Sequence, residues 1–209
     1  MNGPKRSGSL SIDDLKTAVI VNKAQPEKIT FCSNKIILFN LILMVILWSV
    51  SSLDYYLITF FMKYVPGNLY VNTTVSTISE LIAYIFSGFV YNAFGGKKAF
   101  IISFALSATG GFLIAFVPAT GYLIAPFVLL AKFGISFAFN LVYLITPTLF
   151  PVELTTTAFG ICNVFARFST ILSPILAELT LPTPMLCYGF TSIAAMVASM
   201  FIVTGIKYQ

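Results

Sequence analysis

Six long apolar runs constrain the fold of this chain more than any other feature of its sequence. Each run is close to the ~20 residues that a helix needs to cross the hydrocarbon core of a membrane. The runs lie at about 36–62, 70–94, 99–117, 121–146, 154–179 and 185–206. Only 9% of the 209 residues are charged, whereas about a quarter are charged in a typical soluble domain. The sequence therefore predicts an all-α integral membrane protein with six transmembrane helices.

The connectors between these runs carry turn residues rather than the sequence of another domain. Each contains Pro or Gly, which favour turns over a continuous helix. The connectors are Pro66-Gly67-Asn68, Gly95-Gly96-Lys97-Lys98, residues 118–121, residues 147–151 and residues 182–184. Residues 36–209 are therefore predicted to form one six-helix transmembrane bundle.

Residues 1–35 form a polar, basic arm in front of the first run. Its six cations are Lys5, Arg6, Lys16, Lys23, Lys28 and Lys35. Residues 11–15 (SIDDL) are typical of a helix start with acids in its first turn, and Ile12, Leu15 and Val19 form a thin apolar stripe. We expect a short amphipathic helix on the membrane surface or on a partner, with a solvated tail as the alternative. No short apolar core with a small-residue cleavage site follows, so a secretory signal is not expected.

The distribution of Lys and Arg predicts the orientation in the membrane. If the N-terminal arm lies inside, the inner side receives its six cations together with Lys97, Lys98 and Lys207, whereas the outer side receives only Lys63. Such an excess is the positive-inside signal. Both termini are therefore predicted to face the cytoplasm, or the matrix if the membrane is mitochondrial.

The remaining composition excludes several classes of function. The chain has no His, which removes the commonest catalytic base and metal ligand. Its three Cys have no metal-binding spacing, and no phosphate-binding glycine loop is present. We therefore expect neither an enzyme nor a metal or cofactor site. The net charge of +5 is explained by the orientation in the membrane and by anionic lipid headgroups as partners. We do not expect nucleic acid as a partner.

Four ionisable residues lie inside the predicted spans: Asp54, Glu80, Lys132 and Arg167. A charged side chain near the middle of a membrane costs roughly 2.5–3.5 kcal/mol. Such a cost is sustained by pairing or by an aqueous cavity, so the four residues predict a polar site between helices. Because two acids balance two bases, the alternative is a pair of buried salt bridges that fix the register of the helices.

Further polar groups accompany these charges. Tyr55 and Tyr56 directly follow Asp54, and Asn140 and Tyr143 lie on one face of the fourth predicted helix together with Ser136. Small residues such as Gly134 and Gly160 permit close helix approach in any membrane bundle. They therefore do not distinguish a transport site from simple packing.

The order of motifs resembles the C-terminal half of the organic cation and anion transporters of the major facilitator superfamily. The first run has Trp48 followed by Tyr55-Tyr56, like that family's aromatic pair. The other similar segments are SLSIDDL (9–15), GNLYVNTTVSTISELIAY (67–84), AKFGISFAFNLVYLITPTLFPVEL (131–154) and FGICNVFARFSTILSP (159–174). The resemblance implies a six-helix bundle, one of two that rock about a substrate site at the midplane.

The sequence departs from the family at the inner gate, where charged residues normally form ion pairs between alternating states. By resemblance, Asn92 replaces an Asp, and Ala93 and Gly96 replace basic residues, whereas Gly95, Lys97 and Lys98 are retained. In the turn after the fourth run, Thr148 replaces a Glu and Thr155 an Arg, which leaves Glu153 as the lone acid of the segment LFPVELTTTAFG. The resemblance thus implies a gate whose ion pairs cannot form.

Two functions remain open on the sequence alone. The favoured one is a degenerate half-transporter that serves as an accessory or structural subunit of a larger membrane complex. The alternative is an active organic ion transporter, formed by two copies or with a separate N-terminal half. By resemblance, Arg167 occupies a position where anion-carrying members have a base, so its substrate would be an organic anion. An assembly role suits the mitochondrial inner membrane, and the plasma membrane is the alternative.

Overall fold

The structure, a computed structural model, describes residue 31 and residues 34–117 and 124–204. The arm at 1–30, with its predicted amphipathic helix, lies outside the described residues. The helices of the described part are α1 (Lys35–Phe61), α2 (Leu69–Phe94), α3 (Gly96–Phe116), α4 (Ile124–Leu149), α5 (Val152–Thr170), α6 (Leu172–Ala177) and α7 (Thr183–Met200). A 3-10 turn, Met62–Tyr64, extends α1.

Six stretches of this described part are long and apolar enough to cross a membrane. They are Lys35–Tyr64, Leu69–Phe94, Gly96–Phe116, Ile124–Leu149, Val152–Ala177 and Thr183–Met200. The predicted fold class is therefore confirmed, and the chain is a multi-pass membrane protein.

Two of the predicted runs differ most from the observed helices, and local physical reasons explain both differences. The fifth run is divided into α5 and α6 at Ile171. Pro174 causes this break because it has no N–H to donate back to the preceding turn. The last run continues to about residue 206, but α7 ends at Met200. Beyond it, the buried side chain of Asn40 bonds both the N–H and the carbonyl of Val203, and these bonds replace those of a continued helix.

The core of the bundle lies among α1, α3, α4 and α7, which pack against one another. The backbones of α3 and α4 approach closely where glycine permits it. A Cβ on Gly134 would lie 2.8 Å from the Cα of Ser107, and one on Gly110 would lie 2.6 Å from the Cα of Ala131. Neither position accommodates a larger residue unless the helices separate.

The two remaining long helices flank this core and are much more exposed. Helix α2 packs mainly on α4, and α5 packs mainly on α1. In the most apolar window of each span, 22% of the residues are buried for the α2 span and 17% for the span formed by α5 and α6, against 61% for α4. Parts of α1 and α4 therefore lie between α2 and α5, the two flanking helices, whose apolar side chains are exposed. We call this surface of α1 and α4 the floor.

Candidate functional site

Two of the four predicted intramembrane charges, Glu80 and Lys132, meet where α2 packs against α4. The Lys132 Nζ lies 3.8 Å from the Glu80 Oε2, and the two side chains are 4% and 13% exposed. The ammonium group also donates a hydrogen bond to the Thr59 Oγ1 at 2.8 Å. The cost of burying both charges is thus offset by their attraction and by this additional acceptor.

Two tyrosines complete the coordination of the carboxylate. The Tyr55 hydroxyl donates to the Glu80 Oε1 at 2.5 Å, and Tyr84 donates to the same oxygen. Tyr84 is four residues after Glu80 on α2, a spacing that brings side chains together on one helix face. The ring of Tyr55 also lies under the Lys132 ammonium, 3.5 Å from Nζ to the ring centroid, and stacks on Phe139. Tyr55 therefore contacts both members of the ion pair.

The ion pair borders a cavity of about 360 Å³ between α1, α2 and α4. Besides Glu80 and Lys132, its polar lining includes Tyr55, Thr59, Thr73 and Thr77. We call this cavity and the Glu80–Lys132 pair the polar site. A cavity of this size with several converging polar groups is typical of small-molecule sites, and Phe60, Met62 and Leu69 supply the apolar part of its lining.

Asn140 and Tyr143 lie further along α4 and have different environments. Asn140 Nδ2 donates to Ser87 Oγ and to the Tyr84 carbonyl, which ties α4 to α2 next to the polar site. The ring of Tyr143, 39% exposed, packs on Trp48 at 4.4 Å between ring centroids. Ser136, predicted on the same face, is buried and its hydroxyl has no partner among the described residues. Asn140 thus lies beside the polar site, whereas Tyr143 lies against Trp48 of α1. The predicted residues of α4 therefore do not form a single cluster.

Arg167 lies apart from the ion pair, on α5. Its side chain is exposed, and it lines a second cavity of about 320 Å³ with Tyr56, Phe60, Thr170 and Pro174. Neither Arg167 nor Asp54 forms an ion pair within the described residues, where the pairs are Lys132–Glu80 and Lys63–Glu178. Of the two buried salt bridges in the alternative prediction, only Lys132–Glu80 is present among the described residues. Arg167 has no acid bonded to it in this part of the chain.

Residues of the predicted inner loop surround a third cavity, of about 530 Å³, at the junction of α2 and α3. Its lining includes Asn92, Gly95, Gly96, Lys97, Lys98 and Thr148. Gly95 ends α2 and precedes α3 with φ = 79°, a left-handed backbone conformation that favours glycine. The turn therefore depends on glycine, and it places the two lysines opposite the end of α4.

Among the described residues, no acid lines this cavity beside the two lysines. Thr148, at the position where the resemblance implies a Glu, donates its hydroxyl to the Ile145 carbonyl at 2.7 Å. Thr155 donates to the Pro151 carbonyl at 2.9 Å, a local bond within the first turn of α5. Ala93, Glu153 and Thr155 do not line this cavity. Of the replaced gate positions, Asn92, Gly96 and Thr148 thus line one cavity and are all neutral, whereas Ala93 and Thr155 lie outside its lining.

Comparison with known proteins relates this chain to membrane transporters. No protein-family model matches it. It is 31% identical over 184 residues to a Caenorhabditis elegans protein named as a transporter, an alignment over 86% of this chain and 37% of the relative. It is 31% identical to a solute carrier family 22 member 15-like protein of Xenopus laevis, over 77% of this chain and 35% of the relative. The human solute carrier family 22 member 13 is 27% identical, over 84% and 34%.

The chain belongs to the organic cation and anion transporter family of the major facilitator superfamily. It spans about a third of the length of the curated relatives it matches. These relatives are named as transporters or solute carriers rather than as enzymes. The names of the relatives thus relate this transporter-family bundle to membrane transport, but they identify no residue of its site.

Several residues of this bundle's polar regions were not predicted from the sequence. Thr59 and Tyr84 bind the ion pair, and only the spacing of Tyr84 from Glu80 offers a signal for either. Outside the spans, Glu178 accepts hydrogen bonds from Lys63 and from Tyr64, the latter at 2.9 Å. These donors and the positive charge of Lys63 lower the pKa of Glu178. The pair joins the end of α1 to the segment after α6, and no sequence pattern connects two residues so far apart.

Proposed function

We propose that this chain supplies the substrate-binding half of an organic ion transporter, working with a second six-helix half. The polar site is the observation that carries the proposal. A buried but cavity-facing ion pair with aromatic and hydroxyl neighbours offers a substrate both charge and hydrogen bonds. Membership of a transporter family supports a transport role over a purely structural one.

The substrate that best fits the charges is an organic anion. Glu80 and Lys132 neutralise each other, whereas Arg167 is exposed and without an ion-pair partner among the described residues. Tyr56 and Phe60 line the same cavity as Arg167, and aromatic rings beside a guanidinium suit an anion that carries an apolar body. Because membrane-embedded cations rarely stay unpaired, a bound anion would supply the missing partner.

The second half is proposed from the exposed flanks of the bundle. Helices α2 and α5 carry exposed apolar side chains, among them Phe86, Phe89, Phe165 and Phe168. Lipid or another six-helix bundle would cover them. A bundle from the same or another chain, placed across α2 and α5, would enclose the floor that α1 and α4 form between them.

The test is uptake of a labelled aromatic carboxylate into vesicles that contain the protein in its native assembly. Arg167→Ala is expected to lower uptake by about tenfold or more, because a charge-assisted hydrogen bond contributes about 1.5–3 kcal/mol. Arg167→Lys should recover part of the uptake. Lys35→Ala, which removes an exposed cation at the start of α1, is the matched control and should leave it unchanged. Uptake equal in wild type and Arg167→Ala, or uptake only of quaternary ammonium ions, would contradict the proposal.

A structural role in a larger complex is the second candidate, and the inner loop favours it. Among the described residues, Lys97 and Lys98 share their cavity with Thr148 and the neutral Asn92 and with no acid. A half that never alternates needs no gate ion pairs. Under this candidate, the protein would migrate in detergent at fixed stoichiometry with other subunits, and Arg167→Ala would leave the complex and its activity intact.

A further inference from the structure

Asp54, the other acid among the predicted intramembrane charges, lies away from the polar site in the core of the bundle. It is fully buried, and its two oxygens contact helix α7. The Ser192 Oγ lies 2.8 Å from Asp54 Oδ2, and the Thr191 Oγ1 lies 2.8 Å from Oδ1. No cation pairs with it in the part of the chain that the structure describes.

The hydrogen bonds continue from Ser192 through three helices. Ser192 Oγ lies 3.1 Å from Ser107 Oγ on α3, which lies 2.6 Å from the Tyr188 hydroxyl on α7. The Tyr188 hydroxyl donates to the Ala131 carbonyl of α4 at 2.9 Å. All four side chains of this row are fully buried. We call the series from Asp54 to the Ala131 carbonyl the buried relay.

The number of protons available to the buried relay favours a neutral Asp54, its first member. Four oxygen–oxygen contacts connect Asp54, Ser192, Ser107, Tyr188 and the Ala131 carbonyl, and each hydrogen bond needs one proton. The three hydroxyl groups supply three. With an ionised Asp54, one of the four contacts would hold two facing lone pairs in a dry core. A protonated Asp54 supplies the fourth proton, and every hydroxyl then donates in one direction towards Ala131.

The alternative, an ionised Asp54 carboxylate, is energetically costly at this location. An isolated buried charge costs far more than a buried neutral group, and a group in such a place neutralises instead. The other titratable and charged groups around α1 offer no compensation. Lys132 on α4 is bonded to Glu80 and Thr59, Arg167 on α5 is exposed, and Tyr188 on α7 donates to a carbonyl.

We propose that Asp54 is a proton-binding site, held as the neutral carboxylic acid, which donates to Ser192 and locks α1 to α3, α4 and α7. The site is distinct from the polar site and independent of the transported substrate. One proton then completes a hydrogen-bonded row across four helices. Loss of this proton would leave an unpaired charge in the core and loosen α1 from α7.

Infrared spectroscopy of the full chain in lipid tests this assignment directly. The wild-type protein should show the C=O stretch of a protonated carboxylic acid near neutral pH, and Asp54→Asn should remove it. Glu80→Gln is the matched control, since Glu80 is paired with a cation, and should leave the band in place. A band absent from the wild type, or lost in Glu80→Gln rather than in Asp54→Asn, would overturn the proposal.

Two serines of α7 provide a further test that does not alter Asp54. Ser192→Ala removes the acceptor of the acid proton, so the band should move to higher wavenumber. Ser199 is also buried on α7, but its hydroxyl donates to the Met196 carbonyl of its own helix. Ser199→Ala should therefore leave the band unmoved. An identical band in both serine variants would contradict donation from Asp54 to Ser192.

Stability of the amide variant gives an independent outcome. Asparagine can accept from Thr191 through Oδ1 and donate to Ser192 through Nδ2, so Asp54→Asn mimics the neutral acid. Its thermal midpoint should lie within about 2 °C of the wild type, whereas Asp54→Ala should lower the midpoint by more than about 4 °C. Equal losses in both variants would contradict a neutral Asp54.

Discussion

Glu80 and Asp54 are two carboxyl groups within the same membrane bundle, and they differ in their access to a cavity and in their counter-ion. Glu80 lies beside a cavity of about 360 Å³ and is paired with Lys132. Asp54 is sealed in the core and surrounded by hydroxyl groups. Tyr55, the residue directly after Asp54, bonds Glu80, so one turn of α1 serves both regions. The difference teaches that an intramembrane acid has two stable solutions: a counter-ion near a cavity, or neutrality in a dry core.

The largest expected effect comes from breaking the ion pair of the polar site. Lys132→Met leaves the Glu80 carboxylate buried without its cation, and we expect a loss of about 3–5 kcal/mol in the free energy of unfolding. Thermal unfolding in detergent measures it. The double variant Lys132→Met/Glu80→Gln should recover most of the stability because no unpaired charge remains. A double variant as unstable as the single one would show that packing, rather than charge, holds this region.

A smaller effect is expected from the close approach that supports the buried relay. Gly134→Ala places a Cβ against the backbone of Ser107, so α3 must move away from α4, and we expect a loss of about 1–3 kcal/mol. Gly160→Ala is the control, since a Cβ there meets nothing within 4 Å. It should stabilise α5 by up to about 1 kcal/mol. Chemical denaturation of both variants checks the difference, and equal effects would contradict the packing described for α3 and α4.

The polar site is then probed at a single hydrogen bond. Tyr55→Phe removes the bond to the Glu80 carboxylate while it keeps the ring that stacks on Phe139. We expect a loss of about 1.5 kcal/mol, the low end for a hydrogen bond to a charged group, because Tyr84 still donates to the same oxygen. Tyr70→Phe, at a residue 83% exposed, should have no measurable effect. If both variants unfold alike, Tyr55 does not stabilise the pair.

The smallest effect is expected at the exposed pair of Lys63 and Glu178. Their side chains are 46% and 63% exposed, and such pairs contribute little to stability and are screened by salt. Lys63→Met should lower the thermal midpoint only slightly and only at low salt. Because the pKa of Glu178 is lower in the folded than in the unfolded state, this contribution is present above the unfolded pKa. It should vanish as the pH falls through the folded pKa. A large effect that persists at high salt would contradict this ranking.

The sequence contained most of the fold because membrane helices are fixed by length and hydrophobicity. It did not contain the end of α7, which depends on Asn40, a residue far away in the chain. Nor did it reveal the division of the fifth run, although Pro174 offered a signal. The first difference arises from hydrogen bonds that form only in the folded bundle. The second arises because Pro174 has no N–H to donate.

The candidate site was less accessible to sequence reasoning. Charge balance predicted pairing, but not that Lys132 would pair with Glu80 and leave Arg167 alone. The buried relay was missed because hydroxyl groups in helices usually bond their own backbone. Ser192 and Ser199 illustrate this, since they lie seven residues apart on α7 and are both buried. One contacts Asp54 and the other only its own helix, and no local pattern separates them.

The measurement that tests this contrast most directly is the accessibility of single cysteines to a water-soluble maleimide in membranes. Cys32, Cys162 and Cys187 are first replaced by Ala. Thr77→Cys lines the cavity of the polar site, and Ser192→Cys lies in the buried relay. We expect rapid labelling at residue 77 and none at residue 192. Labelling at residue 192, or none at residue 77, would contradict the contrast between a cavity-facing Glu80 and a sealed Asp54.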